Sequence, residues 1–163
     1  MKKIVIVMGS KSDAEILKKT HLTLKEFGVD CVVRVLSAHR TPEQAADFAK
    51  NAVDEGFGVI ICAAGKAAHL AGVIAGHTIL PVIGVPIISS TLDGLDSLLS
   101  TVQMPGGVPV ATVAINGAEN AAILAVQILA LSEKCLQEKL YLYKQKIKNA
   151  TLDADSTIMD YFK

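Results

Sequence analysis

Ile4-Val5-Ile6-Val7-Met8-Gly9-Ser10-Lys11-Ser12-Asp13 reads as a strand that runs into a polar glycine turn and hands over to a helix. Its five consecutive apolar residues, mostly β-branched, suit a strand covered on both faces, as in a parallel sheet. From Asp13 to Phe27 apolar residues recur at helical spacing (Ile16, Leu17, Leu24, Phe27) and stop at Gly28, a natural helix end. The same unit repeats. Cys31 to Leu36 is a second strand, and Thr41-Pro42-Glu43 opens a helix toward Glu55, with Thr41 as its cap and Pro42 in its first turn. Val59 to Cys62 is a third strand, followed by a small-residue helix around Ala67 to Gly76. Val82 to Val85 and Ala111 to Ile115 supply two more strands, and Glu119 to Leu131 is the closing helix.

Strand–helix units joined by short loops predict an α/β fold, a three-layer α/β/α sandwich around a central parallel sheet in a flavodoxin-like arrangement. At 163 residues the chain is long enough to bury roughly 70% of its unfolded surface in one domain. Residues 1–131 read as the catalytic α/β domain and 132–163 as a helical extension and tail of that same domain. From Phe57 to Leu131 the only charged residues are Lys66, Asp93, Asp96 and Glu119, too few to cover a solvated surface, so part of it is expected to meet other subunits. Leu136, Leu140, Tyr143 and Ile147 form an apolar stripe on an otherwise charged helix. With the core taken as already full, the stripe is expected to pack on a neighbouring subunit; folding back on its own domain is the alternative. Thr151 to Lys163 is polar and expected to be loosely held.

Composition excludes several classes. Lys plus Arg and Asp plus Glu both number 16, and the aromatic residues are three Tyr, four Phe and no Trp. No basic stripe or stacking platform is there for nucleic acid. Cys31, Cys62 and Cys135 are isolated and odd in number, which argues against a disulfide framework or a zinc site and fits a reducing cytosol. The apolar run after Met1-Lys2-Lys3 is too short for a signal peptide, and Ile79 to Ile88 is interrupted by Pro81, Gly84 and Pro86. A cytoplasmic protein without membrane or nucleic-acid partners is expected.

In an open parallel sheet, ligands bind beyond the carboxyl ends of the strands. Strand one delivers Gly9-Ser10-Lys11-Ser12-Asp13 there, strand two Ser37-Ala38-His39-Arg40-Thr41-Pro42, and strand three Ala63-Ala64-Gly65-Lys66-Ala67-Ala68-His69. The first loop ends at a helix start, where free N–H groups favour an anion and Ser10 and Ser12 add hydroxyls. Asp13 would repel phosphate, so it either accepts from sugar hydroxyls or caps the helix; a plain serine-rich turn is the competing reading. In the second loop Arg40, one of two arginines in the chain, suits bidentate binding of phosphate or carboxylate. His39, between a serine and that arginine at a strand end, is the candidate acid/base. In the third loop Gly65 allows a ligand near the backbone, with Lys66 or His69 reaching in. His69 and His77 lack the i, i+4 spacing of a metal-binding helix, and no metal is expected. G-x-G-x-x-G and the P-loop pattern are both absent. The long connection through Asp93–Ser100 and Gln103–Pro109 is of the length that is often functional or interfacial.

Gly9–Asp13, Ser37–Pro42, Ala67–Leu70, Asp96–Ser100 and Val102–Pro105 together resemble the PurE family of purine biosynthesis, over about Ile4 to Leu131. The resemblance implies an α/β/α subunit in a homo-octamer. It implies that Ser10, Asp13, Ser37 and Arg40 hold the ribose phosphate part of the ligand and that His39 is the general acid/base. Gly9, Ser12, Gly65, Lys66, Ala67 and His69 are further candidates for the site. The implied activity is a mutase that converts N5-carboxyaminoimidazole ribonucleotide into 4-carboxy-5-aminoimidazole ribonucleotide, passing through carbon dioxide and needing no cofactor. A related class carboxylates aminoimidazole ribonucleotide directly.

The third loop departs from the mutase pattern G-A-G-G-A-A-H-L-P-G: Ala63, Lys66 and Ala71 stand for Gly, Gly and Pro. Lys66 is similar to the basic residue of the direct carboxylases, whereas Ala67–Leu70 and Ser37–Pro42 resemble the mutase class, which is favoured. A non-catalytic sensor of phosphoribosyl ligands on the same fold is the third alternative.

Overall fold

The computed structural model describes residues 1–90 and 92–163. β1 (Lys3–Met8), β2 (Cys31–Val35), β3 (Phe57–Gly65), β4 (Val82–Ile87) and β5 (Ala111–Thr112) form one sheet in the order β2-β1-β3-β4-β5, every pairing parallel. The flavodoxin-like α/β expectation holds. β1 is at the heart of it: Ile4 to Val7 are fully buried because helices cover both of its faces.

Alternate residues of each strand feed two cores. Ile4, Ile6, Val59, Ile61 and Val85 pack against α1 (Ala14–Glu26) and α5 (Ala118–Ala130), a layer that α6 (Lys134–Tyr161) joins. Val5, Val7, Ile60, Cys62 and Val82 pack against α2 (Pro42–Asn51) and α3 (Leu70–Ala75). α4 (Leu95–Val102) lies on that second face close over β4, where a Cβ on Gly84 would collide with Thr101 Cγ2. The residue has to be glycine for the helix to come so near the sheet. Between α1 and α5 the buried Thr20 hydroxyl is satisfied by donating 2.8 Å to the Ala118 carbonyl.

Several boundaries differ from the sequence expectation. β3 runs on to Gly65, since Ala63, Ala64 and Gly65 pair with Val85, Pro86 and Ile87 of β4. β5 holds only Ala111 and Thr112; beyond it single bonds from the Val113 and Asn116 N–H groups to the Gly84 and Pro86 carbonyls keep the chain beside β4 until it turns at Asn116. α2 ends at Asn51 rather than near Glu55 and α3 starts only at Leu70. The C-terminal helix continues to Tyr161, so the expected loose tail is helical, although residues 150–163 are all exposed.

The apolar stripe on α6 is divided. Leu136 is fully buried and belongs to the core, with Leu140 and Tyr143 packed beside it, the Tyr143 ring tilted against that of Phe27 with centroids 5.6 Å apart. Lys139 adds a 2.7 Å bond to the Phe27 carbonyl. The first turns of α6 thus fold back on their own chain, because α1 and α5 leave an apolar groove that Leu136 fills. From Ile147 onward the stripe is exposed: Leu152, Ile158, Met159, Tyr161 and Phe162 have no cover within the chain.

Candidate functional site

The chain crosses from β1 outward to β2 and then back to β3 on the opposite side, so the order of the sheet reverses at β1. Loops leaving neighbouring strands at such a switch point part in opposite directions and open a crevice. The crevice here is a cavity of about 610 Å³ lined by the ends of β1, β2, β3 and β4. Gly9, Ser10, Ser12, Asp13, Ser37, His39, Arg40, Gly65, Lys66 and Ala67 all lie on its wall. His69 is not among the lining residues but reaches the site through His39, their Nε2 and Nδ1 atoms 2.9 Å apart.

The second loop is stapled into shape by its own side chains. Thr41 stands at the N-cap position just before α2, yet its hydroxyl caps no helix N–H. It accepts instead from the Ser37 N–H at 2.8 Å and donates to the Ser37 carbonyl at 3.1 Å. Ser37 Oγ in turn accepts from the Arg40 N–H at 3.1 Å. Ser37, Arg40 and Thr41 therefore hold His39 at the apex of a closed turn, exposed toward the crevice. The Arg40 guanidinium is aimed across the crevice: Nη2 donates to the Gly9 carbonyl at 2.8 Å and Nε to Ser37 Oγ at 3.5 Å, which leaves the Nη1 side of the fork for an anion.

At 2.9 Å one hydrogen fits between the two imidazole nitrogens of His39 and His69, so one ring donates and the other accepts. The rings meet edge to face with centroids 5.1 Å apart. His69 precedes α3 rather than sitting on it, which frees its ring to cross from the third loop to the second. His77 is exposed and takes no part in the cavity.

The first loop winds into a short 3-10 turn, Lys11–Asp13. The Ser12 hydroxyl lies 2.9 Å from Ser10 Oγ and 3.0 Å from Asp13 Oδ1. Asp13 makes no capping bond to α1, which removes the plain-cap reading. The Asp13 side chain is buried, and that desolvation pushes its carboxyl above the usual carboxylate range; the Ser12 hydroxyl and the Ser10 backbone work in the opposite direction.

Ile87, Ile88, Ser89 and Ser90 also line the cavity and were not anticipated. The signal was present, since they follow the carboxyl end of β4, to which the rule applied to the other strands extends. The wall they form is close-set: a Cβ on Gly65 would lie 3.2 Å from the Ile87 carbonyl. Among the described residues no cluster of metal-ligating side chains occurs. What the arrangement can do is hold an anionic, sugar-sized ligand between a guanidinium and serine hydroxyls, with an imidazole pair beside it to move protons.

The family model described as AIR carboxylase matches residues 3–150. The N5-carboxyaminoimidazole ribonucleotide mutase of Thermotoga maritima is 52% identical over 153 residues, covering 94% of this chain and 90% of that protein. The chloroplastic phosphoribosylaminoimidazole carboxylase of Vigna aconitifolia is 51% identical over 146 residues, 90% of this chain but 26% of that protein. Among solved structures, PurE of Treponema denticola superposes with a TM-score of 0.87 at 30% identity, covering 94% of this chain and 96% of that one.

Proposed function

The chain belongs to the AIR carboxylase family, and we propose that it is the mutase of purine biosynthesis that converts N5-carboxyaminoimidazole ribonucleotide to 4-carboxy-5-aminoimidazole ribonucleotide. The observation that carries this reading is the meeting of His39, its partner His69 and Arg40 on one crevice with the serines of the β1 loop.

Arg40, Ser10 and Ser37 bind the phosphate end, and Asp13 accepts from the ribose hydroxyls. His39 gives a proton to the carbamate nitrogen as the N–C bond breaks. The bonding pair stays on that nitrogen and carbon dioxide is released into the pocket. The electron-rich C4 of the imidazole attacks carbon dioxide, forming the new C–C bond, and His39 then collects the proton that C4 sheds. One proton goes in and one comes out, and no electrons change hands. His39 supplies the acid/base step, of a kind worth about 10²–10⁴ in rate. Confining carbon dioxide beside the ring is a matter of proximity, for which the apolar wall of Ala38, Ala64, Ala67, Leu70 and Ile87 is suited.

The second reading, direct carboxylation of aminoimidazole ribonucleotide, is favoured by the cation Lys66 on the cavity wall. Comparing kcat/KM for the carbamate with that for aminoimidazole ribonucleotide plus bicarbonate separates the two. Preference for the carbamate is expected, and a strong preference for the second pair overturns the mutase assignment.

The homo-octamer implied by the family resemblance is supported by two uncovered apolar surfaces, α6 beyond Ile147 and the Leu92, Leu95, Leu99 and Val102 side chains around α4. A solution mass near that of eight 17.2 kDa chains is expected. No helix among the described residues is long and apolar enough to cross a membrane. The free thiols Cys31, Cys62 and Cys135 suit a cytosolic setting.

A further inference from the structure

Lys66 occupies a backbone conformation that a lysine rarely takes. Its φ is +59°, in the left-handed region, where a side chain crowds the following carbonyl and glycine alone is at ease. Such strain persists where something else over-determines the residue, often at a ligand-binding site. A second strained residue, Asn116 at φ +55°, has a visible structural use, since its Oδ1 accepts the Ile88 N–H at 2.9 Å. Lys66 shows no such use. Among the described residues it takes part in no hydrogen bond and in none of the three salt bridges, and it stands exposed on the cavity wall.

The charges around the cavity say what this ammonium is free to bind. The one carboxylate on the wall, Asp13, leaves from β1 and is engaged by the Ser12 hydroxyl. The other cation, Arg40, is tethered to the Gly9 carbonyl. Lys66 sits three residues before His69 on the loop after β3, and His69 touches His39. The uncommitted positive charge is therefore on the loop of His69, one member of the proton-transfer pair, while the tethered one follows His39, the other member, on the loop after β2.

We infer that Lys66 is a second anion site, separate from that of Arg40, which holds the migrating carboxylate of the ligand beside His39. The inference rests on the ribonucleotide reading above and deepens it: the ligand carries two anions, and each has its own cation on a different loop. A mobile ammonium suits a carboxylate that leaves nitrogen and reappears on carbon, because it follows the group as a point charge where a rigid guanidinium fork would not.

Binding of 4-carboxy-5-aminoimidazole ribonucleotide and of aminoimidazole ribonucleotide, measured by titration calorimetry, tests this. Lys66→Met keeps the strained backbone and removes the charge. Its affinity for the carboxylated ligand is expected to fall about tenfold, the loss of one charge-assisted contact, with that for the uncarboxylated ligand within about twofold of the wild type's. Lys66→Arg should retain most of the discrimination. Lys66→Gly should show the same binding loss while its Tm rises by about 2–4 °C as the left-handed strain is relieved. Met and Gly variants that bind both ligands like the wild type overturn the site, as does a loss confined to the glycine variant, which would point to loop rigidity instead of charge. Carbamate turnover by the wild type is followed in parallel: its absence counts against the mutase reading, whereas a flat ligand comparison with turnover intact counts against Lys66 alone.

Discussion

The buried lengths of β1 and β3 and the loops that leave their carboxyl ends are adjoining regions of one backbone, yet different physics governs them. Along Ile4–Val7 and Val59–Ile61 every residue is fully buried. One or two residues past each strand end the chain is polar and half-buried or exposed, and its side chains bond to one another: Ser12 to Ser10 and Asp13, Thr41 to Ser37, His39 to His69. The strands hold stability that is indifferent to chemistry, and the loops hold chemistry with little bearing on stability. A rigid two-faced sheet is what lets short exposed loops keep a fixed geometry.

The separation is sharpened most by His39→Asn. Turnover of the carbamate should drop about 10³-fold, with Tm unchanged within about 2 °C because the side chain is exposed. A large loss of Tm would show that the loop carries structural weight after all. Ile61→Ala is the mirror test in the strand. Removing that fully buried side chain should cost about 2–5 kcal/mol in a denaturant titration, with KM intact in whatever fraction remains folded.

Arg40→Lys keeps the charge but gives up the fork that spans Gly9 and Ser37. KM should rise about tenfold with kcat nearly unchanged, as expected when ground-state and transition-state binding weaken together. Equal falls in kcat and kcat/KM would instead move Arg40 into the chemical step.

The smallest effect, and the one that blurs the division, is at Asp13, which is buried like a strand residue but lies in a loop. Its folded-state pKa is raised from 3.8 by burial. The protonated form therefore favours the fold, and that contribution is complete below the unfolded value and disappears as pH climbs through the raised one. Asp13→Asn, uncharged throughout, should lack this acid-side decline when Tm is followed against pH, and at pH 7 should be no less stable than the wild type. A variant clearly less stable at pH 7 would mean that the Ser12 and Ser10 bonds to the carboxylate outweigh its desolvation.

The parallel sheet, its helical layers and the loops after β1, β2 and β3 were legible because apolar periodicity and strand-end position are local properties of the chain. The loop after β4 was not, since Ile88 continues the apolar run of the strand and hides where pairing stops. The hydroxyl of Thr41 looks like a helix cap in the sequence and is not one, for a related reason: whether it bonds a helix N–H or reaches back to Ser37 depends on how sharply the loop closes. The stripe on α6 was visible, but its division at Tyr143 was not, because the depth of the groove between α1 and α5 is set by residues far apart in sequence.

By itself the order of residues determined that β1 would be buried, that polar turns would end the strands, and that His39 and Arg40 would sit together. These follow from hydrophobic pattern and covalent neighbourhood. Only the tertiary structure decided that His69 would bring its Nδ1 to His39, that Arg40 would span to Gly9, and that Lys66 would be held in a left-handed turn with no partner among the described residues. Contacts between loops are fixed by how parallel strands are ordered and staggered, and that arrangement arises from packing the sheet as a whole.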